Sequence, residues 1–146
     1  MSDHGVLVLI WVLAPAAQAL GWRWQAVRAN AGIVDVIWSA CLGLSAVLIA
    51  MLGGGGSWPR VLLGLLGGLW ATRLAAHLWL RVRNEREDGR YLQLRQRWSG
   101  YRHAQLRWFV LFQVQAALVV LFSLPFLAAA ANPEPRFTGW SALAIA

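Results

Sequence analysis

The sequence predicts an all-α polytopic membrane protein, a transmembrane helix bundle with four complete spans and the start of a fifth. Three observations predict it. Hydrophobic residues make up 59% of the 146 residues and charged residues only 13%, against about 25% charged in a soluble domain. The apolar residues gather into runs long enough for a helix to cross a ~30 Å hydrocarbon core, which takes about 20 residues. No run alternates apolar and polar positions as a membrane β-strand does. The same composition excludes a disordered chain. The single cysteine, Cys41, excludes an internal disulfide framework and a cysteine-rich zinc or iron–sulfur site.

The first span is Val6 to Trp22, with Pro15 inside it. No arginine precedes this run and no small-residue cleavage site follows it, so it reads as a span and not a signal peptide. The second span is Ile33 to Leu52. The glycines 53–56 with Ser57, Trp58 and Pro59 form a turn, and Pro59 opens the third span, Val61 to Leu80. Gly64 and Gly68 form a GxxxG pair on that span, suited to close helix packing. A polar connector follows, residues 81–107. Tyr91, Leu94 and Trp98 recur within it at helical spacing, which predicts a short interfacial helix. The fourth span is Trp108 to Ala131, with Pro125 inside, and Asn132-Pro133-Glu134-Pro135 breaks it. A last apolar run starts at Gly139 and reaches Ala146 after eight residues, a rise of only about 12 Å. It is expected to open a fifth helix of a longer protein.

Charge sets the expected orientation. The formal net charge is +7, and all thirteen basic residues other than histidine are arginines. Ten lie in two connectors that face the same side: Arg23 and Arg28, then Arg81, Arg83, Arg86, Arg90, Arg95, Arg97, Arg102 and Arg107. The opposite side has Arg60 and Arg136. The positive-inside rule makes the arginine-rich connectors cytoplasmic and puts the N-terminus outside. Tryptophans 22, 24, 58, 79, 108 and 140 fall near span ends, as interfacial anchors do. Nucleic acid ranks last as a partner, because the arginines belong to connectors at a membrane face.

Ionisable residues inside a span are rare and costly, about 2.5–3.5 kcal/mol at a helix centre. Asp35, Arg73 and His77 are such residues, and Gln18, Gln113 and Gln115 are neutral companions. At 1.5 Å per residue, Gln18 lies roughly 6 Å inside the cytoplasmic end of its span, Asp35 roughly 3–5 Å, His77 roughly 5 Å, Arg73 roughly 10 Å and Gln113 roughly 7 Å. Four helices thus offer polar groups to one layer. Arg73 and His77 share a helix face, and Asp35, the only acid in any span, is the expected partner of one of them. Gln115, two residues from Gln113, points roughly the other way. The layer reads either as a pocket for the reactive end of a ligand or as interhelical glue fixing register. In the connector, arginine forks suit the phosphates of a cofactor or anionic headgroups, and Glu85, Glu87 and Asp88 are placed to hold them in fixed geometry. GxGxxG, Walker, GxSxG and HExxH patterns are missing. His4, His77 and His103 fall in three separate regions, so no metal site is expected.

The stretch from Ala26 to Trp38, AVRANAGIVDVIW, resembles the second-helix signature of bacterial relatives of the steroid 5α-reductases. Three more pieces match that group in order. They are Trp70 to Leu78; Glu87-Asp88-Gly89-Arg90-Tyr91 with Arg95 and Trp98; and Phe112-Gln113-Val114 leading to Ser123-Leu124-Pro125. The resemblance runs from about Gly21 to Pro125. It implies an integral membrane reductase of about seven helices, in a bacterial inner membrane, that uses NADPH to reduce the carbon–carbon double bond of an enone such as a 3-oxo-Δ4 steroid. The family's Arg-x-x-Arg-His-Pro-x-Tyr type cofactor stretch belongs to its C-terminal half and does not occur here. The animal enzymes grip the substrate carbonyl with a Gln–Glu pair on the second helix and a Tyr on the third. Here the second helix offers Asp35, and Arg73 falls near the place of the Tyr when Asn84 is matched to the family's connector Asn. The resemblance then implies catalytic roles for Asp35, Arg73 and His77. It implies cofactor contacts from Asn30, Asn84, Arg90, Tyr91 and Arg95, and substrate contacts from Gln18, Trp38 and Gln113. Proton delivery falls to His77, Tyr91 or water. The alternatives are a membrane methyltransferase of the isoprenylcysteine type, using S-adenosylmethionine, and a non-catalytic helical module that binds lipid or assembles with a partner.

Overall fold

The computed structural model describes residues 2–131, and these form five helices with no strand among them. Helix α1, Asp3–Arg28, begins where the Ser2 hydroxyl accepts from the Gly5 amide, an N-cap that satisfies one of the free amides of the first turn. Asp3 in the first turn and Arg28 in the last both suit the helix dipole. One face is buried: Val6, Ile10, Ala14, Gln18, Gly21 and Gln25. The helix stops at Ala29, whose φ of 52° is left-handed, so the chain reverses within a few residues into α2, Ile33–Leu52. Helix α3, Ser57–Asn84, and helix α5, Ala104–Ala130, complete the long elements. Between them the short helix α4, Gly89–Trp98, is capped by the Asp88 carboxylate, which accepts from the Arg90 amide.

Helices α1, α2, α3 and α5 are each long and apolar enough to cross a membrane. Helix α2 matches its expected span, Ile33 to Leu52, whereas α1 and α3 run past both ends of their apolar stretches and α5 starts four residues before its own, because backbone hydrogen bonding continues where the side chains turn polar. The expected interfacial helix is present as α4. The expected start of a fifth span at Gly139 lies outside the described residues.

Helix α2 is the centre of the bundle and packs on α1, α3 and α5, while α1 also lies along α5. Lipid tails are as apolar as leucine, so helices here associate by close packing. The α2–α3 seam shows this. A Cβ on Gly43 would strike that of Ala71, one on Gly67 would sit 2.8 Å from the Ala46 Cβ, and one on Gly64 would sit 2.8 Å from the Ala50 Cβ. The GxxxG pair therefore serves a contact within the chain. A first core joins Val6, Ile10, Ala14, Cys41, Ile49, Ala116 and Val119. A second, at the arginine-rich end, joins Ala31, Ile33, Val34, Tyr91, Trp108 and Phe112.

Candidate functional site

The second core is the platform for the polar site. Tyr91, Leu94 and Trp98, the residues whose spacing predicts α4, face inward and meet Trp108 of α5. The Trp98 ring stands edge-on to Trp108 at 4.9 Å, and Tyr91 lies 6.4 Å from it. This anchors α4 over the α1–α2 turn. Glu87, at 7% side-chain exposure, then becomes the hub. Arg95 reaches it with a two-pronged fork, Nη2 to Oε1 at 2.7 Å and Nε to Oε2 at 2.8 Å. The Ala31 amide donates to the same carboxylate at 2.7 Å. Arg95 also reaches the Gln25 side chain and lies 5.0 Å over the Trp108 ring. Gln25 in turn donates to the Gln105 side chain at 3.1 Å, and the Trp22 indole donates to the Gln105 carbonyl. Charged, bidentate and shielded bonds of this kind are the strong ones.

One turn along α4, the Tyr91 hydroxyl donates to Asp35 at 2.9 Å. Arg90 approaches the other Asp35 oxygen at 3.4 Å, but its side chain is 70% exposed, so this contact is a weak tether. Asp88 links the connector to α3 by accepting from Arg81 at 3.1 Å and from Arg90 at 3.2 Å. Burial, then the charge of Asp35 and the bond to it, push the Tyr91 phenol well above its ordinary pKa, so it stays protonated. The Arg90 amide and guanidinium hold the Asp88 carboxyl below the usual carboxylate range. The arrangement keeps a neutral phenol beside a carboxylate and an exposed guanidinium. That set can hold a proton at the phenol oxygen and meet an anionic group with the arginine.

The structure brings together only part of the expected layer. Asp35 pairs with Tyr91 and Arg90, and the expected pairing with Arg73 or His77 is not formed. Arg73 and His77 lie on an exposed face of α3 and make no hydrogen bond among the described residues. The cause is azimuth. At about 100° per residue, Arg73 and His77 point roughly 120–160° away from Ala71, the buried residue that fixes the side α3 turns to α2. Gln18 is buried and donates to the Val34 carbonyl at 3.4 Å, leaving its own oxygen without a partner. Gln113 donates to the Pro15 carbonyl at 3.5 Å. These two read as interhelical glue. Trp38 stacks edge-on to Phe122 at 6.0 Å, and its buried indole N–H has no partner among the described residues.

Among the expected cofactor residues, Arg90 and Asn84 are exposed at the connector, Arg95 is committed to Glu87, and Asn30 pins the α1–α2 turn by donating to the Val82 carbonyl at 3.2 Å. A small recess beside Asp35 is lined by Asn30, Gly32, Arg81, Arg86 and Asp88. An apolar groove of about 550 Å³ opens on the far side of the α2–α3 seam. Gln25 and Gln105 were not singled out by the sequence. The signal for Gln25 is its place on the buried stripe of α1, one turn beyond Gln18 and Gly21. No group of three or more metal-ligating side chains occurs among the described residues.

Neither a curated protein nor a solved structure matches the chain. A family of shared sequence does match, over residues 21–146, which takes in the C-terminal end of α1 and all of α2 to α5. The chain belongs to the family described as Protein of unknown function (DUF1295).

Proposed function

We propose that this chain contributes to an integral membrane oxidoreductase that reduces the carbon–carbon double bond of an apolar enone, such as a 3-oxo-Δ4 steroid, with NADPH, its arginine-rich end facing the cytoplasm. The observation that carries the reading is Tyr91. It is a buried phenol kept protonated against Asp35, next to the exposed guanidinium of Arg90, which Asp88 and Asp35 tether. The order of motifs that resembles the steroid 5α-reductases supports it.

The residues at this end fit a phosphorylated dinucleotide. Arg90, Arg86 and Asn84 are exposed and suited to its phosphates, while Arg95 and Asn30 hold the connector and the α1–α2 turn in place. When bound, NADPH supplies the hydride for the β-carbon of the enone. Tyr91 holds a proton at its oxygen, donated to Asp35 in the structure, and on this reading the phenol turns from Asp35 to give that proton to the product. Arg73 and His77, on the outer face of α3 and turned away from the Asp35–Tyr91 pair, take no part in this reading.

The test is a melting-temperature shift of the full-length protein in detergent with NADPH, NADH and S-adenosylmethionine, since a ligand of the folded state stabilises by mass action. A shift selective for NADPH, followed by NADPH oxidation with steroid enones that Tyr91→Phe lowers, supports the reductase. A shift with S-adenosylmethionine alone assigns the methyltransferase. No shift with any of the three, from folded protein, leaves a non-catalytic membrane module.

A further inference from the structure

Helix α3 carries a second feature, on a face that the proposed reductase site does not use. Trp24, Arg28 and Asn30 from the end of α1 face Trp79, Val82, Arg83 and Glu85 from the end of α3, across a polar cavity of about 520 Å³. The two indoles lie 6.3 Å apart and form its inner part. Asn30 ties its back wall to the Val82 carbonyl, and a Cβ on Gly32 would meet Val82 at 3.0 Å, so the wall is closely fitted. Two guanidiniums line this cavity and neither has a carboxylate partner among the described residues. The one acid at its edge, Glu85, is engaged by Arg81 at 3.3 Å. Arg81, Arg90 and Arg95 all have acidic partners, and Arg28 and Arg83 differ from them in this.

The cavity adjoins a second one at Trp79, the residue that lines both. Trp79 also lines the apolar groove of about 550 Å³, which continues past Ala76, Ala75 and Thr72 to Gly68, with Val36, Ala40 and Val47 of α2 as its other wall. Residues 68, 72, 75, 79 and 82 follow helical spacing, so cavity and groove share one face of α3. From Trp79 to Gly68 the rise is roughly 16 Å, about half of a ~30 Å hydrocarbon core. The slot therefore has a cationic, aromatic-floored head at the level of the tryptophan belt and an apolar tail one leaflet deep.

We infer that this slot holds an anionic glycerophospholipid, with its phosphate between Arg28 and Arg83 and one acyl chain in the groove from Trp79 to Gly68. The two-pronged geometry of arginine matches a phosphate diester. An interfacial arginine pair adds attraction that a zwitterionic headgroup does not fully return. The cavity shares the Asn30–Val82 wall with the recess beside Asp35 but is lined by none of Asp35, Tyr91 and Arg90, and the inference holds whether or not the chain is a reductase.

The test titrates the full-length protein in detergent with phosphatidylglycerol and with phosphatidylcholine of the same acyl chains, reading melting temperature and apparent affinity. Phosphatidylglycerol is expected to stabilise the wild type more strongly. In the Arg28→Gln/Arg83→Gln double variant its apparent affinity falls on the order of tenfold or more, and the preference disappears. Arg97→Gln, which removes an exposed arginine of α4, keeps the preference. Ala75→Phe, which fills the groove, weakens both lipids. Equal stabilisation of the wild type by the two lipids overturns the inference without recourse to any variant, as does an unchanged preference in the double variant. Inorganic phosphate and NADPH form the last arm. If either protects the wild type but not the double variant, while the lipids show no preference, the cavity is a soluble-phosphate site and the lipid inference fails.

Discussion

Arg95 and Arg73 are the same residue type at two ends of one design choice. Arg95 lies over Trp108 with its fork closed on Glu87, and the α1–α2 turn hangs on the same carboxylate through the Ala31 amide. Arg73 stands on an exposed face of α3 with no bond among the described residues. The helices differ in the same way. Half of the apolar window of α2 is buried in the bundle, against 6% of that of α3. Among the described residues the arginine-rich end is therefore a linked polar assembly, whereas α3 packs mainly on α2 through small residues, with a lighter contact to α5, and leaves two further faces uncovered. One open face is the apolar groove and the other carries Arg73 and His77. A buried charge is tolerable where its partners are complete, and in the described residues that condition is met at Glu87 and not at Arg73.

The most severe way to break this contrast is Glu87→Ala. It leaves Arg95 enclosed without a counter-charge and the Ala31 amide without an acceptor, and is expected to cost on the order of 3 kcal/mol. Denaturant or thermal unfolding in detergent should show a large loss, with Glu87→Gln intermediate. A loss below about 1 kcal/mol would mean that α4 is held by its aromatic contacts alone. The seam is the next most sensitive place. Gly43→Ala drives a methyl into Ala71, and overpacking of this kind costs about 1–3 kcal/mol. Gly68→Ala, whose Cβ would meet Val47 at 3.3 Å, should be far milder in the same assay. Equal effects would place the closest approach of α2 and α3 elsewhere.

Two smaller effects sharpen the comparison. Tyr91→Phe removes one hydrogen bond to Asp35 and should cost about 1 kcal/mol of stability. On the proposed reading it also lowers turnover more than this loss of folding explains. Because the folded state raises the Tyr91 pKa, its contribution is complete below the ordinary phenol range near 10 and is lost as pH rises through the higher folded value. Asp88 has the opposite sign. Its lowered pKa means that its cap and its hold on Arg81 are complete above the ordinary value near 4 and are lost as pH falls through the lower folded value. Hydrogen-exchange protection factors of α4, corrected for the intrinsic pH dependence of exchange, should therefore show no Asp88 transition from pH 5 to 8. A transition in that window that Asp88→Ala abolishes would contradict the capping role. The smallest loss expected is that of Arg73→Gln, which removes an ionisable group that a span carries at a cost of about 2.5–3.5 kcal/mol and that has no partner among the described residues, so stability should not fall. A loss of several kcal/mol would show that Arg73 is paired inside the folded protein after all.

Much of the fold is legible from residue order alone. Continuous apolar runs mark α1, α2, α3 and α5, since no shorter or less apolar element satisfies its backbone inside a bilayer. The spacing of Tyr91, Leu94 and Trp98 marks α4 and the side it buries, and Glu87 and Asp88 next to a run of arginines mark the place where ion pairs form. Position along each helix axis is legible too, because rise per residue is constant. Azimuth is not. Height put Asp35, Arg73 and His77 in one layer, but the rotation of α3 is set by which of its faces packs closest, and the small residues Gly64, Gly67 and Ala71 take that face. Arg73 and His77 are thereby turned outward, Asp35 is left to Tyr91, and Trp79 with Arg83 is brought opposite Trp24 with Arg28. Sequence fixes which groups a helix carries and how far along its axis, through local geometry. Which groups meet depends on the rotation and docking of whole helices, and that is settled by packing between segments far apart in the chain.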